Sequence, residues 1–253
     1  WEEPPLSGTQ GAGTVFFSGC SLGCVFCQND SISQNDFGKA ISVARLREIF
    51  FELIAAGAHN IDLVNPTHYA HAVAQALEDP LPVPVVWNSG GYDRVETLAA
   101  LEGKIQIYLP DYKYTDPDTA RRYAGAADYP ETARAAIREM VHQTGPYQLD
   151  ENGILTRGVI LRHLLLPGGL NQAKEVMDWV AETFPPHTIL FSLMSQYTPW
   201  GKAADSPPLD RRMRKSEIRA AEAYFTNLGL DGFTQGVEAA QAEYIPTFDL
   251  TGV

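Results

Sequence analysis

The sequence predicts an α/β fold, a partial (β/α)6 barrel of parallel strands. Three observations carry that prediction. Six short apolar runs recur along the chain. Stretches with a helical apolar period separate them. Six units are too few for the eight of a complete TIM barrel. The runs are continuous rather than alternating, which suits strands covered on both faces of a parallel sheet. Right-handed crossovers between such strands build either a barrel or an open doubly wound sheet, and the incomplete, splayed barrel is the first expectation.

The strands are expected at 14–18, 60–64, 83–87, 105–109, 158–165 and 187–193, each rich in Val, Ile, Leu or Phe. Ser42 is a good N-cap for a helix carrying Leu46, Ile49, Phe50, Leu53 and Ile54, closed by Gly57. Pro117 and Pro130 each suit a first helical position. From Pro130 an apolar stripe runs through Ala133, Ile137, Met140 and Val141 to Gly145. Asn171 opens a helix with Val176, Met177, Val180 and Phe184. Asp210 precedes a last one with Ile218, Tyr224, Phe225 and Leu228, ended by Gly229. The stretch 199–208 is rich in Gly, Pro and Ser and reads as a long loop after the sixth strand. No linker divides the chain. It is expected to be one domain over 1–253, with a cysteine loop at 20–27 and a C-terminal tail at about 230–253.

Composition narrows the function classes. Of 253 residues, 45% are apolar and 20% charged, an ordinary globular balance. A chain this long can bury a large core without disulfide staples. Acidic residues outnumber basic ones 31 to 19, giving a net charge of −12. Such a surface repels a phosphate backbone and anionic lipid, so neither nucleic acid nor a membrane is expected as a partner. No apolar run approaches the ~20 residues of a membrane span. The chain opens at Trp1 with no initiator Met and no secretory leader, so a cytoplasmic protein with some N-terminal residues missing is expected.

The three cysteines are Cys20, Cys24 and Cys27. An odd number within eight positions is not a disulfide framework. Three thiolates on one loop can wrap a soft metal centre. Iron–sulfur and structural zinc sites both usually want four ligands, so one position is filled by another residue or left open for reaction. Two alternatives stand beside this. Cys24 and Cys27 form a CxxC pair that could be a redox dithiol. Zinc could take a distant histidine (His59, His68, His71 or His163) as a fourth ligand.

The run Cys20-Ser21-Leu22-Gly23-Cys24-Val25-Phe26-Cys27, directly after the first strand, resembles the radical S-adenosylmethionine superfamily, including the aromatic Phe26 before the last cysteine. Within it the chain is most similar to the branch of pyruvate formate-lyase activating enzymes. The resemblance implies that the three cysteines hold a [4Fe–4S] cluster whose fourth iron binds S-adenosylmethionine. Reductive cleavage of that molecule would give a 5′-deoxyadenosyl radical that abstracts hydrogen. The implied substrate is the glycine of a glycyl radical enzyme, with a small molecule or peptide as the alternative. A non-enzymatic metal-binding or regulatory protein is the reading from another class.

Functional residues of such folds gather at the C-terminal strand ends. After the second expected strand, Asn65 and Thr67 stand where the family commonly has a Gly-Gly-Glu stretch, and they are the candidate replacements. The neighbouring His68 reads equally as a solvent-facing residue. After the third strand, Asn88 precedes Gly90 and Gly91, which permit a close backbone approach or a tight turn. The fourth strand ends in Asp111 and Lys113, two apart and on one face if the strand continues. Arg162 lies in an apolar fifth strand and needs a partner there. The resemblance implies that Arg162 reaches the cofactor carboxylate. His163 points the other way and reads as a core histidine. Gln196 and Tyr197 follow the sixth strand, where the family places adenine contacts. Arg211, Arg212, Arg214 and Lys215 form a basic cluster in an acidic protein. They are either a solvated face or a docking site for an acidic electron donor, ferredoxin or flavodoxin.

Overall fold

Eight strands and nine helices order the residues that a computed structural model describes, 3–35, 37–235 and 248–253. The strands are β1 (Gly13–Phe16), β2 (Ile61–Val64), β3 (Val85–Ser89), β4 (Ile107–Pro110), β5 (Gln148–Leu149), β6 (Leu155–Leu164), β7 (Ile189–Met194) and β8 (Gly232–Gln235). Seven of them run parallel in the order β1-β2-β3-β4-β6-β7-β8, and β5 pairs antiparallel with β6. No pairing joins β8 back to β1 among the described residues, so the parallel sheet is open, as in a partial barrel.

The helices are α1 (Pro4–Ser7), α2 (Asp30–Ser33), α3 (Val43–Ala55), α4 (Ala70–Ala76), α5 (Val95–Ala99), α6 (Pro117–Ala124), α7 (Tyr129–Thr144), α8 (Leu170–Thr183) and α9 (Lys215–Leu228). Short 3-10 turns cover Thr67–Tyr69 and Gly201–Asp205. Local chemistry sets several boundaries. The Ser42 hydroxyl accepts from the Arg45 N–H at 3.1 Å and caps α3. Asp116 caps α6 in the same way, and Pro117 follows at its first turn.

The parallel α/β expectation holds, with three adjustments. The third strand begins at Val85 rather than 83, because Pro82 and Pro84 carry no N–H for a central ladder. The last helix begins at Lys215, well after Asp210. Within the expected tail, 232–235 forms a seventh parallel strand on β7. Its sequence, Gly-Phe-Thr-Gln, is too polar to register as an apolar run. The remainder of that tail, 236–247, lies outside the described residues.

The sheet has two different faces. One packs Leu63, Trp87, Tyr108, Leu161 and Phe191 against helical residues such as Phe50, Ile137 and Met177. The other face packs Val86, Ile107, Leu109, Ile160 and Leu190 against Leu6 of α1. Further along the same side, at two-residue spacing, stand Asn88, Asp111, Arg162 and Ser192. The inner face therefore changes from apolar to polar toward the C-terminal strand ends. Asp62 joins the polar set from β2, buried beside Val86 in the ladder.

Candidate active site

The cysteine loop is held from both sides. Leu22 and Phe26 are buried and anchor it in the core. The Gly23 and Val25 N–H groups donate to the Ala124 and Tyr123 carbonyls at 2.9 Å, which fastens the loop to the end of α6. The Gly19 N–H donates to Ile32 O of α2. The three thiols are free and half-buried. The Leu22 N–H donates to Cys20 Sγ at 3.4 Å, and Cys27 Sγ lies 3.2 Å from Ser33 Oγ. Among the described residues, no three His, Cys, Asp or Glu side chains converge as ligands of a single ion.

Electrostatics ties this loop to the strand ends. Burial pushes the Cys24 thiol up to about 12, and the Lys113 ammonium acts against that rise. Burial raises Cys20 too, opposed by the Leu22 N–H and by Lys113. Lys113 is half-buried, and its Nζ lies 2.5 Å from Asp111 Oδ2. Burial disfavours its charge, but Asp111 and the Cys24 sulfur outweigh that and raise its pKa. Asp111 also faces Arg162, whose Nε is 2.9 Å from Oδ1. Burial would raise this carboxyl, but the two cations hold it below the usual carboxylate range.

The network continues across the inner face. Arg162 donates from Nη2 to Asn88 Oδ1 at 2.7 Å, and Asn88 Nδ2 donates to Asp62 Oδ2 at 3.1 Å. Four strands thus contribute to one chain of polar contacts: Asp62 from β2, Asn88 from β3, Asp111 and Lys113 beyond β4, and Arg162 from β6. Asn65 belongs to the cysteine side. It sits in the left-handed region at φ 58° and donates to the Gly19 carbonyl, with its side chain also bonded to Cys20. His68 is exposed, but a Cβ on Gly19 would lie 3.3 Å from its ring.

Other expected residues turn out to be engaged elsewhere. The Thr67 hydroxyl donates to Asp93 Oδ1 at 2.7 Å, and Ser89 donates to the other Asp93 oxygen at 2.5 Å. Asp93 is 1% exposed, and burial raises its pKa in spite of these bonds. Tyr197 is 3% exposed, donates to Leu209 O at 2.7 Å and meets the Phe26 ring edge-on at 5.7 Å. It supports the cysteine loop from beneath. Gln196 donates to Gln235 Oε1 at 2.6 Å, a link between the β7 end and β8. His163 is buried, as expected, with Nδ1 at 2.6 Å from Tyr112 O. In the basic cluster, Arg211 is taken up by Glu217 through two 2.8 Å bonds, which hold that carboxyl down at about 2. Arg212, Arg214 and Lys215 stay exposed.

Two contributors had no signal in the sequence. The buried Tyr129 hydroxyl lies 2.9 Å from Gly90 O, from Asp111 O and from the Lys113 N–H, which donates to it. One hydroxyl therefore joins the ends of β3 and β4 beneath the ion network. Asp93 organises the turn after β3 through Thr67, Trp87 and Ser89. Both meet their partners only in three dimensions.

No family model matches the chain. An uncharacterized protein of Methanocaldococcus jannaschii is 29% identical over 228 residues, which is 86% of this chain and 63% of that protein. SuiB of Streptococcus suis superposes with a TM-score of 0.59 at 15% identity, over 91% of this chain and 51% of SuiB. A radical SAM methyltransferase of Sphaerobacter thermophilus superposes with a TM-score of 0.57 at 17% identity, over 90% of this chain and 68% of that one. The chain thus spans less than two thirds of the curated relative and about half of SuiB, and what it shares with the two solved proteins is their fold.

Proposed function

We propose that the chain is a radical S-adenosylmethionine enzyme. One observation carries this reading: a Cys-x-x-x-Cys-x-x-Cys loop follows β1, and the Lys113–Asp111–Arg162 network stands beside it at the C-terminal strand ends. The donor set fits the implied cofactors. Three thiols on one loop suit an iron–sulfur cluster with a vacant corner. A cationic lysine next to them offsets the charge the thiols acquire on releasing protons to bind metal. Cys20, Cys24 and Cys27 would hold the [4Fe–4S] cluster, and Arg162, Asp111, Lys113, Asn88 and Asn65 surround the place for S-adenosylmethionine. When bound, this pair supplies reductive cleavage of the sulfonium to a 5′-deoxyadenosyl radical able to abstract hydrogen.

The residues of the chain orient and exclude. Asp111 on Nε and Asn88 on Nη2 fix the guanidinium of Arg162, so that its remaining N–H groups can meet a carboxylate without reorganising. Lys113 sets the potential at the thiols. Phe26 and Leu22 keep water from beneath the loop.

The substrate we favour is the glycine of a glycyl radical enzyme, with ferredoxin or flavodoxin as electron donor. That choice rests on the motif resemblance and on the exposed Arg212, Arg214 and Lys215, which suit an acidic donor. A peptide substrate is the second reading, because SuiB, of the same fold, has been crystallised with its precursor peptide SuiA. Anaerobic incubation with dithionite and S-adenosylmethionine tests the enzyme reading. The wild type should release 5′-deoxyadenosine and Cys24→Ala should not. Cluster-loaded wild type that releases none is a binding protein instead. A glycyl electron paramagnetic resonance signal in a partner protein separates the two substrate readings.

A further inference from the structure

Beyond the ends of β4 and β6 lies a cavity of about 210 Å3 that the proposed reaction does not use. Its walls include Tyr114, Tyr123, Leu164, Leu166 and Pro208. A dry cavity of about 150 Å3 is already enough to hold benzene, so this one has room for a substituted ring. Two polar groups reach its wall. Tyr114 is 0% exposed, and its hydroxyl has no hydrogen-bond partner among the described residues. Such a buried hydroxyl costs free energy unless something completes it. His163 is the second. Its Nδ1 faces the Tyr112 carbonyl, which can only accept, so Nδ1 carries the proton. Burial lowers its pKa to about 4, which keeps the ring neutral and leaves Nε2 an acceptor.

The one charged side chain on the wall is Lys113, and Asp111 holds its ammonium at 2.5 Å. No carboxylate lines the cavity among the described residues. A cation finds no counter-charge here, and an anion must compete with Asp111. A neutral ligand with one O–H fits: it accepts from Tyr114 and donates to His163, while its ring fills the space against Tyr123 and the aliphatic walls.

We propose that this cavity binds a small neutral ring compound bearing a hydroxyl group, of the size and chemistry of phenol. The site needs neither iron nor S-adenosylmethionine, so it stands or falls apart from the proposed reaction. Titration of the full, metal-free chain with phenol and with toluene, followed by calorimetry and ligand-observed NMR, tests it. Phenol should bind about tenfold more tightly than toluene, the factor one good hydrogen bond supplies. Tyr114→Phe should weaken phenol about fivefold or more while leaving toluene unchanged. Because the hydroxyl has no partner within the fold, the variant should melt no lower than wild type. Absence of phenol binding, equal affinity for phenol and toluene, or an unaltered phenol affinity in Tyr114→Phe overturns the proposal. A lower melting temperature for the variant also overturns it, since the hydroxyl would then be serving the fold.

Discussion

Arg162 stands in a strand of ten residues that is otherwise mostly buried and apolar, and its environment is completed by Asp111 and Asn88. Replacing it with Leu leaves Asp111 with Lys113 alone and Asn88 Oδ1 without its donor. We expect a loss of about 3 kcal/mol in urea unfolding, the lower end for a broken buried pair because Lys113 still covers one oxygen. An unchanged midpoint means that the network carries no stability. His163 supplies a pH test. Its folded pKa, about 4, lies below the ordinary 6.5, so the unfolded chain takes the proton first. Its contribution is intact above pH 6.5 and is lost as pH falls toward 4, roughly 3 kcal/mol in all. His163→Asn keeps a donor for Tyr112 O but does not titrate. Wild type should therefore lose more stability than this variant between pH 7 and pH 4.5, and parallel curves contradict the assignment.

Single residues were legible in the sequence where an anomaly stood out locally. An arginine in an apolar run, an acid and a lysine two apart, and three clustered thiols are such anomalies. Thr67 and Tyr197 carried no comparable mark. Their polar atoms look equally available for a ligand until Asp93 and the Leu209 carbonyl appear beside them.

Among the elements, the turn after β3 sets how closely β3 and β4 deliver their residues. Gly91 has φ 75°, and a Cβ there would come within 2.1 Å of the Asp111 carbonyl oxygen. Backbone cannot yield as a flexible side chain would, so Gly91→Ala should destabilise the fold by more than ~2 kcal/mol and lower its melting point clearly. A variant that melts as wild type does shows that the turn is looser than described. Tyr129→Phe acts at the same junction by removing the acceptor for the Lys113 N–H and the donor to the two carbonyls. It should cost about 1–3 kcal/mol, and amide exchange at Lys113 should speed up. Retained protection at Lys113 contradicts the role of the hydroxyl. Elements with strong apolar runs were readable from sequence. β8 was not, because an edge strand half-exposed on both sides needs little apolar character and takes its register from β7.

For the whole molecule, one parallel sheet with an apolar and a polar inner zone explains why the site forms where it does. The zone of Val86, Ile107, Leu109, Ile160 and Leu190 is closed by Leu6, and charged residues appear only past it. Glu3 extends this closure. It is 3% exposed and accepts from Ser192 on β7 at 2.9 Å and from Gln235 on β8. The C-terminal residues reach the opposite edge, where Lys39 and Arg45 donate to the Val253 and Gly252 carbonyls. Periodicity could announce the parallel sheet, but not contacts that join residues more than 180 positions apart.

The central claim is that three thiols grip an iron–sulfur cluster while leaving one corner for S-adenosylmethionine. Oxygen-free reconstitution, with iron and sulfide analysis and electron paramagnetic resonance of the reduced protein, tests it most directly. The account predicts about four irons per chain, none in a variant lacking all three cysteines, and a spectrum that changes when S-adenosylmethionine is added. A colourless protein holding one zinc, or a cluster whose spectrum S-adenosylmethionine leaves untouched, contradicts it.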